Sequence, residues 1–114
     1  MDCLFCKISR GDMVSDTVFE DTAVKVIKDI YPKAPVHLLV LPKIHVQSIA
    51  HLEADHADLV VTLIYTAKKV AASLGLAGYK LVFNVGKEGG QAVDHLHLHL
   101  LGGWSGPEDR RVDV

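Results

Sequence analysis

The chain contains three histidines that alternate with leucine in the run His95-Leu96-His97-Leu98-His99-Leu100-Leu101. Side chains at i, i+2 and i+4 of a β-strand point to the same side, so the spacing predicts a strand on which the imidazoles form a row, roughly 7 Å apart. The leucines would then face the core. On a helix the same residues would scatter around the axis. The pattern therefore indicates a polar face on a buried scaffold.

Histidine side chains titrate near neutral pH, with an ordinary pKa of about 6.5. A row of them can hold a neutral nucleophile beside a protonated donor, which suits chemistry on an anion such as a phosphate. Two other interpretations are a metal-binding histidine tract and a half-buried strand whose polar face happens to carry histidines. The strict alternation, preceded by Gly89-Gly90, favours a functional site.

Length and charge restrict the classes of partner. With 114 residues, of which 49% are hydrophobic, the chain is expected to form one domain around a single core. The net charge is −2 with acids and bases interspersed, so we expect no nucleic-acid partner. The N-terminus has no signal-peptide pattern and no apolar run reaches membrane-spanning length. We therefore expect a cytoplasmic protein without a membrane partner.

Cys3 and Cys6 form a Cys-x-x-Cys pair with three interpretations. A thioredoxin-like redox pair should follow a strand, yet only two residues precede Cys3. Half of a tetrahedral zinc site fits the spacing better, and seven histidines are available to complete it. The third interpretation is a pair of reduced cysteines packed as small apolar groups.

Hydrophobic periodicity predicts an α+β domain. Helices are predicted over residues 4–9 and 55–74, the second ending at Gly75, and strands over residues 18–20, 24–27, 37–41, 79–85 and 95–101. The last two strands flank the glycine turn at 86–90, so they should pair in antiparallel fashion and place the histidines centrally in the sheet. His51 and His56 are predicted to be exposed polar residues.

The segment from Gly89 to Gly103 resembles the signature of the histidine triad (HIT) nucleotide hydrolases, His-φ-His-φ-His-φ-φ, where φ is apolar. Further matches are Leu4-Phe5-Cys6-Lys7-Ile8, Asp29-Ile30 with Pro32 and Ala34-Pro35, His37 through Lys43 leading to His45, and Asn84 after a strand. The resemblance spans Cys3 to Gly103 and is greatest to the bacterial type of the Hint branch. It implies a five-stranded antiparallel sheet with one long and one short helix, in a domain over residues 1–104 followed by a short tail over 105–114.

The resemblance also implies roles for individual residues. His97 would attack the α-phosphorus of a nucleotide and form a transient nucleotidyl-histidine. His99 and Asn84 would donate to the phosphate oxygens, with assistance from the backbone amides of residues 91–93, and His37 would orient the row from behind. Asp29 would accept from the ribose hydroxyls. The complete set of nucleotide-binding residues is Asn84, Gln91, Ala92, Val93 and Asp29, with Phe5, Ile8, Ile27, Ile30 and Leu39 lining the base pocket.

The activity that the resemblance favours is hydrolysis of a purine nucleoside phosphoramidate or adenylylated substrate to a nucleoside monophosphate, without an organic cofactor. A dinucleoside polyphosphate hydrolase would use the same histidines, and a nucleotide- or zinc-binding module without turnover is a third alternative. A nucleotidyltransferase fits less well, because those relatives have glutamine where this chain has His99. Ala92 replaces a serine that contacts the leaving group in many relatives, and Asp94 replaces an aromatic residue.

Bacterial-type relatives with this N-terminus bind zinc through both cysteines, the histidine after Pro-Lys and the first triad histidine. The corresponding residues are Cys3, Cys6, His45 and His95, which predicts one structural zinc per chain.

The sequence also predicts a homodimer. The long helix carries Val61, Ile64, Tyr65 and Val70 around more of its circumference than one sheet face can cover. In relatives this helix and the strand at 79–85 meet their symmetry mates.

Overall fold

The computed structural model describes residues 3–106 and 110–114, and within them it contains two α-helices and five β-strands. The helices are α1 (Leu4–Arg10) and α2 (Ala57–Ser73), and the strands are β1 (Thr17–Glu20), β2 (Val24–Lys28), β3 (Val36–Pro42), β4 (Tyr79–Val82) and β5 (Leu98–Gly102). Every strand pair is antiparallel, in the order β1-β2-β3-β5-β4. The predicted α+β fold is confirmed. No helix in the described ranges is long and apolar enough to cross a membrane.

The sheet buries apolar side chains on both faces, because neighbouring residues of a strand point in opposite directions. On one face Val40 packs in a cluster with Leu63 of α2. On the other face Leu39 and Ile27 pack with Phe5 of α1. The short helix therefore covers the face opposite to the long one.

The α1 face also receives two of the predicted site histidines. His37 lies two residues before Leu39 on β3, so both side chains point to this face. His99 of β5 is the register partner of Leu39. β5 lies between β3 and β4, so it is a central strand, as predicted.

The strand predicted for residues 95–101 is too long at its N-terminal end, because β5 begins only at Leu98. The register pairs Val40 with Leu98, which would place Leu96 opposite Pro42, and proline has no N–H for the ladder. Leu96 instead donates its N–H to the carbonyl of Val46. His95 and His97 thus precede the strand, and the residues from His95 to Leu101 are all buried, so the histidines form no solvent-facing row.

Two other predicted boundaries differ by more than one residue. β4 ends at Val82 rather than 85, because Val82 already pairs with His99 and only Leu98 of β5 remains beyond it. α2 begins at Ala57, after a short 3₁₀ turn in which His56 Nδ1 accepts the N–H of Glu53. His56 is therefore half-buried rather than exposed, whereas His51 is exposed as predicted.

Candidate active site and metal centre

A cavity of about 620 Å³ opens on the α1 face of the sheet, a volume typical of small-molecule sites. Eleven of the predicted residues line it: Phe5, Ile8, Ile27, Asp29, Ile30, His37, Leu39, Ala92, Val93, His97 and His99. The structure therefore brings the proposed catalytic histidines together with the apolar residues predicted to hold a base.

His37 and His99 form a hydrogen-bonded pair whose protons can be assigned. The backbone N–H of Lys33 donates to His37 Nδ1 at 3.0 Å, so the neutral ring carries its proton on Nε2. His37 Nε2 lies 2.9 Å from His99 Nδ1 and donates to it. The proton of His99 is then on Nε2. His99 consequently presents an N–H donor on the side of the cavity.

His97 has the complementary arrangement. Its Nδ1–H donates to the carbonyl oxygen of His95 at 2.7 Å, which leaves Nε2 unprotonated with a free lone pair. The Phe5 ring meets the His97 ring edge-on, with 5.1 Å between centroids, and this packing holds the imidazole. The ring centroid of His99 is also 5.1 Å away. A nucleophilic nitrogen and a hydrogen-bond donor therefore lie side by side.

Burial keeps these histidines neutral. It lowers the pKa of His37 and His97 below the ordinary value, because an imidazolium loses its hydration there. Burial, with smaller contributions from His97 and His37, lowers the pKa of His99 to about 4. The expectation of a protonated donor beside a neutral nucleophile is thus wrong in one respect, since the donor at neutral pH is an uncharged N–H.

Asp29 connects the histidine pair to the rest of the cavity. Its Oδ1 accepts the backbone N–H of Tyr31 at 2.8 Å, and its Oδ2 lies 3.4 Å from His37 Nε2. The half-buried carboxylate has lone pairs left for a ligand hydroxyl. Ile30 lies at the rim and is 82% exposed.

Asn84 and Gln91, predicted to bind phosphate, do not line the cavity. Asn84 Nδ2 donates to the Gly89 carbonyl at 2.7 Å, and the Gln91 side chain bonds to backbone atoms of Gly86 and Gln47. The Gln91 backbone N–H donates to the Gly86 carbonyl and is also occupied. These residues support the glycine turn, because Asn84 Nδ2 and the Gln91 backbone N–H donate to carbonyls within it. The buried Asn84 Oδ1 has no hydrogen-bond partner among the described residues.

Some cavity residues carry no sequence signal of a site. They include Met13, Val14, Tyr31 and Lys33 near β1 and β3, and Asp113 and Val114 at the end of the chain. The tail is attached through Lys80, whose Nζ donates to the Arg110 carbonyl. The role of Lys33 in orienting His37 uses its backbone N–H, so no side-chain pattern could reveal it.

The four predicted metal ligands form a cluster next to the cavity. The sulfur–nitrogen distances are 3.5 and 3.3 Å from Cys3 Sγ to the Nδ1 atoms of His45 and His95, and 3.2 and 3.5 Å from Cys6 Sγ to the same atoms. The two Nδ1 atoms are 3.2 Å apart. In a tetrahedral zinc site, ordinary bond lengths place sulfur and nitrogen about 3.5 Å apart. The cluster therefore fits zinc.

The protonation states in this cluster also suit a metal. His95 Nε2–H donates to the Pro42 carbonyl at 2.8 Å, so its Nδ1 lone pair points into the cluster. Cys3 Sγ accepts the Cys6 N–H at 3.1 Å as the cap of α1, which places both sulfurs together. Burial raises the pKa of the Cys6 thiol, as does its hydrogen bond to Cys3. Metal binding would therefore release protons.

A second group of ligand-type side chains, Asp29, His37 and His99, is less suited to a metal. The N–H of Lys33 fixes the proton of His37 on the Nε2 atom that a metal would need. The hydrogen bonds therefore favour a metal at the cluster of Cys3, Cys6, His45 and His95. At the second group they instead favour a shared proton between His37 and His99.

Comparison with known proteins identifies the family. Residues 2–108 match the family model described as "Scavenger mRNA decapping enzyme C-term binding". The crystal structure of a HIT family hydrolase from Legionella pneumophila Philadelphia 1 is 47% identical with a TM-score of 0.89, covering 91% of this chain and 95% of that one. The chain belongs to the histidine triad (HIT) family. The family predicted from the His95–Leu101 run is thereby confirmed.

Two further HIT relatives bear on the site. The purine nucleoside phosphoramidase of Escherichia coli strain K12 is 39% identical over 104 residues, which cover 90% of this chain and 87% of that protein. A zinc-bound histidine triad family protein from Mycobacterium smegmatis is 29% identical with a TM-score of 0.81, covering 99% of this chain and 84% of the other.

Proposed function

We propose that this HIT protein hydrolyses purine nucleoside phosphoramidates or adenylylated substrates to a nucleoside monophosphate through a covalent intermediate on His97. The observation that carries the proposal is the 2.7 Å hydrogen bond from His97 Nδ1 to the His95 carbonyl. It leaves the Nε2 lone pair as the free nucleophile in a cavity of nucleotide size. The phosphoramidase among the relatives gives independent support.

In the first step His97 Nε2 attacks the α-phosphorus and the P–N bond to the leaving amine breaks. His99 Nε2–H and the backbone amides of Ala92 and Val93 donate to the phosphate oxygens as charge develops on them. His99 has a single proton, and behind it His37 is held by an amide N–H that cannot supply another. The departing amine therefore takes its proton from water.

In the second step water attacks the phosphorus of the nucleotidyl-histidine, the P–Nε2 bond breaks and neutral His97 is restored. The attacking water releases a proton to solvent, which balances the proton that the amine took from water in the first step. Splitting one displacement into two allows each to use a better nucleophile or leaving group. Asp29 would accept from the ribose hydroxyls while the base packs against Phe5, Ile27 and Leu39. Gln91 and Asn84 would support the turn rather than touch the phosphate.

A substrate comparison tests the proposal. We expect adenosine 5′-tryptamine phosphoramidate to be hydrolysed to AMP with a kcat/KM at least about tenfold above that for diadenosine tetraphosphate, measured by chromatography of the products. A preference for diadenosine tetraphosphate would contradict the proposal and indicate a dinucleoside polyphosphate hydrolase. Binding of AMP without turnover of either compound would favour a binding module, since the Ala92 methyl offers no proton to a leaving group.

We further propose one zinc per chain, bound by Cys3, Cys6, His45 and His95. Bound zinc would fix the N-terminus of α1 and the loop after β3 to the segment that precedes β5. Two thiolate ligands favour a reducing compartment, hence the cytoplasm.

We also propose residues 1–104 as the catalytic domain and 105–114 as its tail.

We also propose a homodimer, because α2 exposes apolar side chains and β4 leaves one edge of the sheet unpaired among the described residues. Val61, Ile64 and Tyr65 are exposed on α2, Tyr65 at 60%, and β4 is an edge strand that pairs with β5. Val70, which the sequence analysis placed with them, is instead buried at 4% and belongs to the core. An exposed apolar helix face and an open strand edge each favour pairing with a second copy.

Light scattering at micromolar concentration tests the dimer. We expect a mass of twice the 12.4 kDa chain, and a shift toward one chain mass for Tyr65→Glu, because a buried charge at the interface is costly. Thr22→Glu, on the exposed turn between β1 and β2, is the matched control and should stay dimeric. A wild-type mass of one chain would reject the dimer.

A further inference from the structure

The described part of the cavity wall contains two lysines whose surroundings differ. Lys28 Nζ lies 3.6 Å from Asp16 Oδ2, so its charge is partly compensated. Lys33 has no carboxylate within ion-pair distance among the described residues. The cavity thus holds one cation with an acidic partner and one without.

The histidines do not supply positive charge. His37 and His99 each accept a hydrogen bond at Nδ1, so each ring is neutral with a single proton. His97 must be neutral to act as a nucleophile. The other charged residues that line the cavity among those described are acids: Asp16, which pairs with Lys28, and Asp29 and Asp113. An anionic substrate therefore finds its counter-charge at Lys33.

Lys33 lies at the histidine end of the cavity. Its backbone N–H is bonded to His37, and, after burial, its ammonium is a further cause of the lowered pKa of His37. The apolar wall formed by Phe5, Ile8 and Ile27 belongs to α1 and β2. With a base on that wall and its α-phosphate at His97 and His99, an anionic group beyond the phosphate would meet the Lys33 ammonium at the same end of the cavity.

We propose that Lys33 is a specificity-determining residue that binds an anionic group, a carboxylate or a second phosphate, on the leaving part of the substrate. This inference rests on the proposed function and names its substrate class. The α-phosphate already has donors in His99 and the amides of Ala92 and Val93. The ammonium of Lys33 adds a charge-assisted hydrogen bond that only a leaving group with its own negative charge can use.

Two substrates that differ by one carboxylate test the proposal. They are the adenosine 5′-phosphoramidates of tryptamine and of tryptophan. We expect Lys33→Gln to lower kcat/KM for the tryptophan compound by about fivefold, mainly through KM, and to change that for the tryptamine compound less than about twofold. Lys33→Arg should restore the preference. Lys28→Gln is the matched control and should leave the ratio between the two substrates unchanged.

Equilibrium binding to the His97→Ala variant separates this inference from the proposed function. The same two compounds, and the pair ADP and AMP, are titrated with Lys33 intact or changed to glutamine. A loss of the preference for tryptophan supports carboxylate recognition, and a loss of the preference for ADP supports a second phosphate. An equal loss for both members of each pair, or no loss, overturns the role of Lys33. Absence of hydrolysis alone counts against the proposed function only.

Discussion

Replacing His97 with alanine is expected to lower kcat for nucleoside phosphoramidate hydrolysis by about a thousandfold or more, while AMP binds with an affinity within a few-fold of wild type. The covalent step needs the free Nε2 lone pair, and water in its place must displace the amine directly. Binding depends on the apolar wall, Asp29 and the donors of His99 and residues 92–93, which this substitution leaves in place. Steady-state kinetics and calorimetric titration of AMP measure the two effects.

Controls separate lost chemistry from lost structure. His51→Ala removes an exposed histidine outside the cavity and should retain wild-type activity. His99→Ala removes a donor to the phosphate and should weaken both turnover and AMP binding. His97→Ala protein that melts near the wild-type temperature yet keeps substantial turnover would contradict the nucleophile assignment.

Replacing Cys6 with serine is expected to reduce zinc from about one ion per chain to a small fraction and to lower the melting temperature by about 10 °C. Serine is a poor zinc ligand, and loss of the ion releases the link between α1, the loop at His45 and His95. Elemental analysis and calorimetry measure the outcome. Removal of the metal by a chelator should destabilise the wild type before it inhibits, because the cluster lies beside the cavity and not in it.

Ser9→Ala is the matched control for the zinc prediction. Ser9 is buried on the same helix, and its hydroxyl has no hydrogen-bond partner among the described residues. Its removal should leave zinc content and melting temperature essentially unchanged. If purified wild-type protein contains no zinc and melts at the same temperature as Cys6→Ser, the zinc proposal is wrong. The cysteines are then two reduced side chains packed as small apolar groups.

The sequence predicted the fold and most of the cavity because local patterns encode them. Short, nearly continuous apolar runs define β2 and β3. The three- and four-residue spacing defines α2, which stops before Gly75, a residue with a positive φ of 71°. The resemblance to the HIT signature placed His37, His97 and His99 correctly at one cavity. The Cys-x-x-Cys spacing likewise identified two of the four side chains in the cluster that could hold a metal.

What the sequence did not reveal depends on tertiary contacts. The alternation of histidine and leucine predicted a last strand that begins at His95. In the structure the ladder begins only at Leu98, because Leu96 donates its N–H to Val46 and would lie opposite Pro42. The three histidines lie on the α1 face as alternation suggests, but they are buried, and His97 and His99 line a cavity instead of an open polar surface. The donors predicted at the Asn84 side chain and the Gln91 backbone N–H are bonded to carbonyls of their own turn, and local spacing does not encode this.

Trapping the covalent intermediate tests the central claim most directly. Excess protein is mixed with an adenosine phosphoramidate, quenched within milliseconds and digested for mass spectrometry, with alkaline conditions to protect a phosphorus–nitrogen bond. We predict an adenylyl group on the peptide that contains His97, rising and decaying before AMP release is complete, and absent from His97→Ala. Turnover to AMP with an adenylyl group on another residue, or with no adenylylated protein at any time point, would contradict the account.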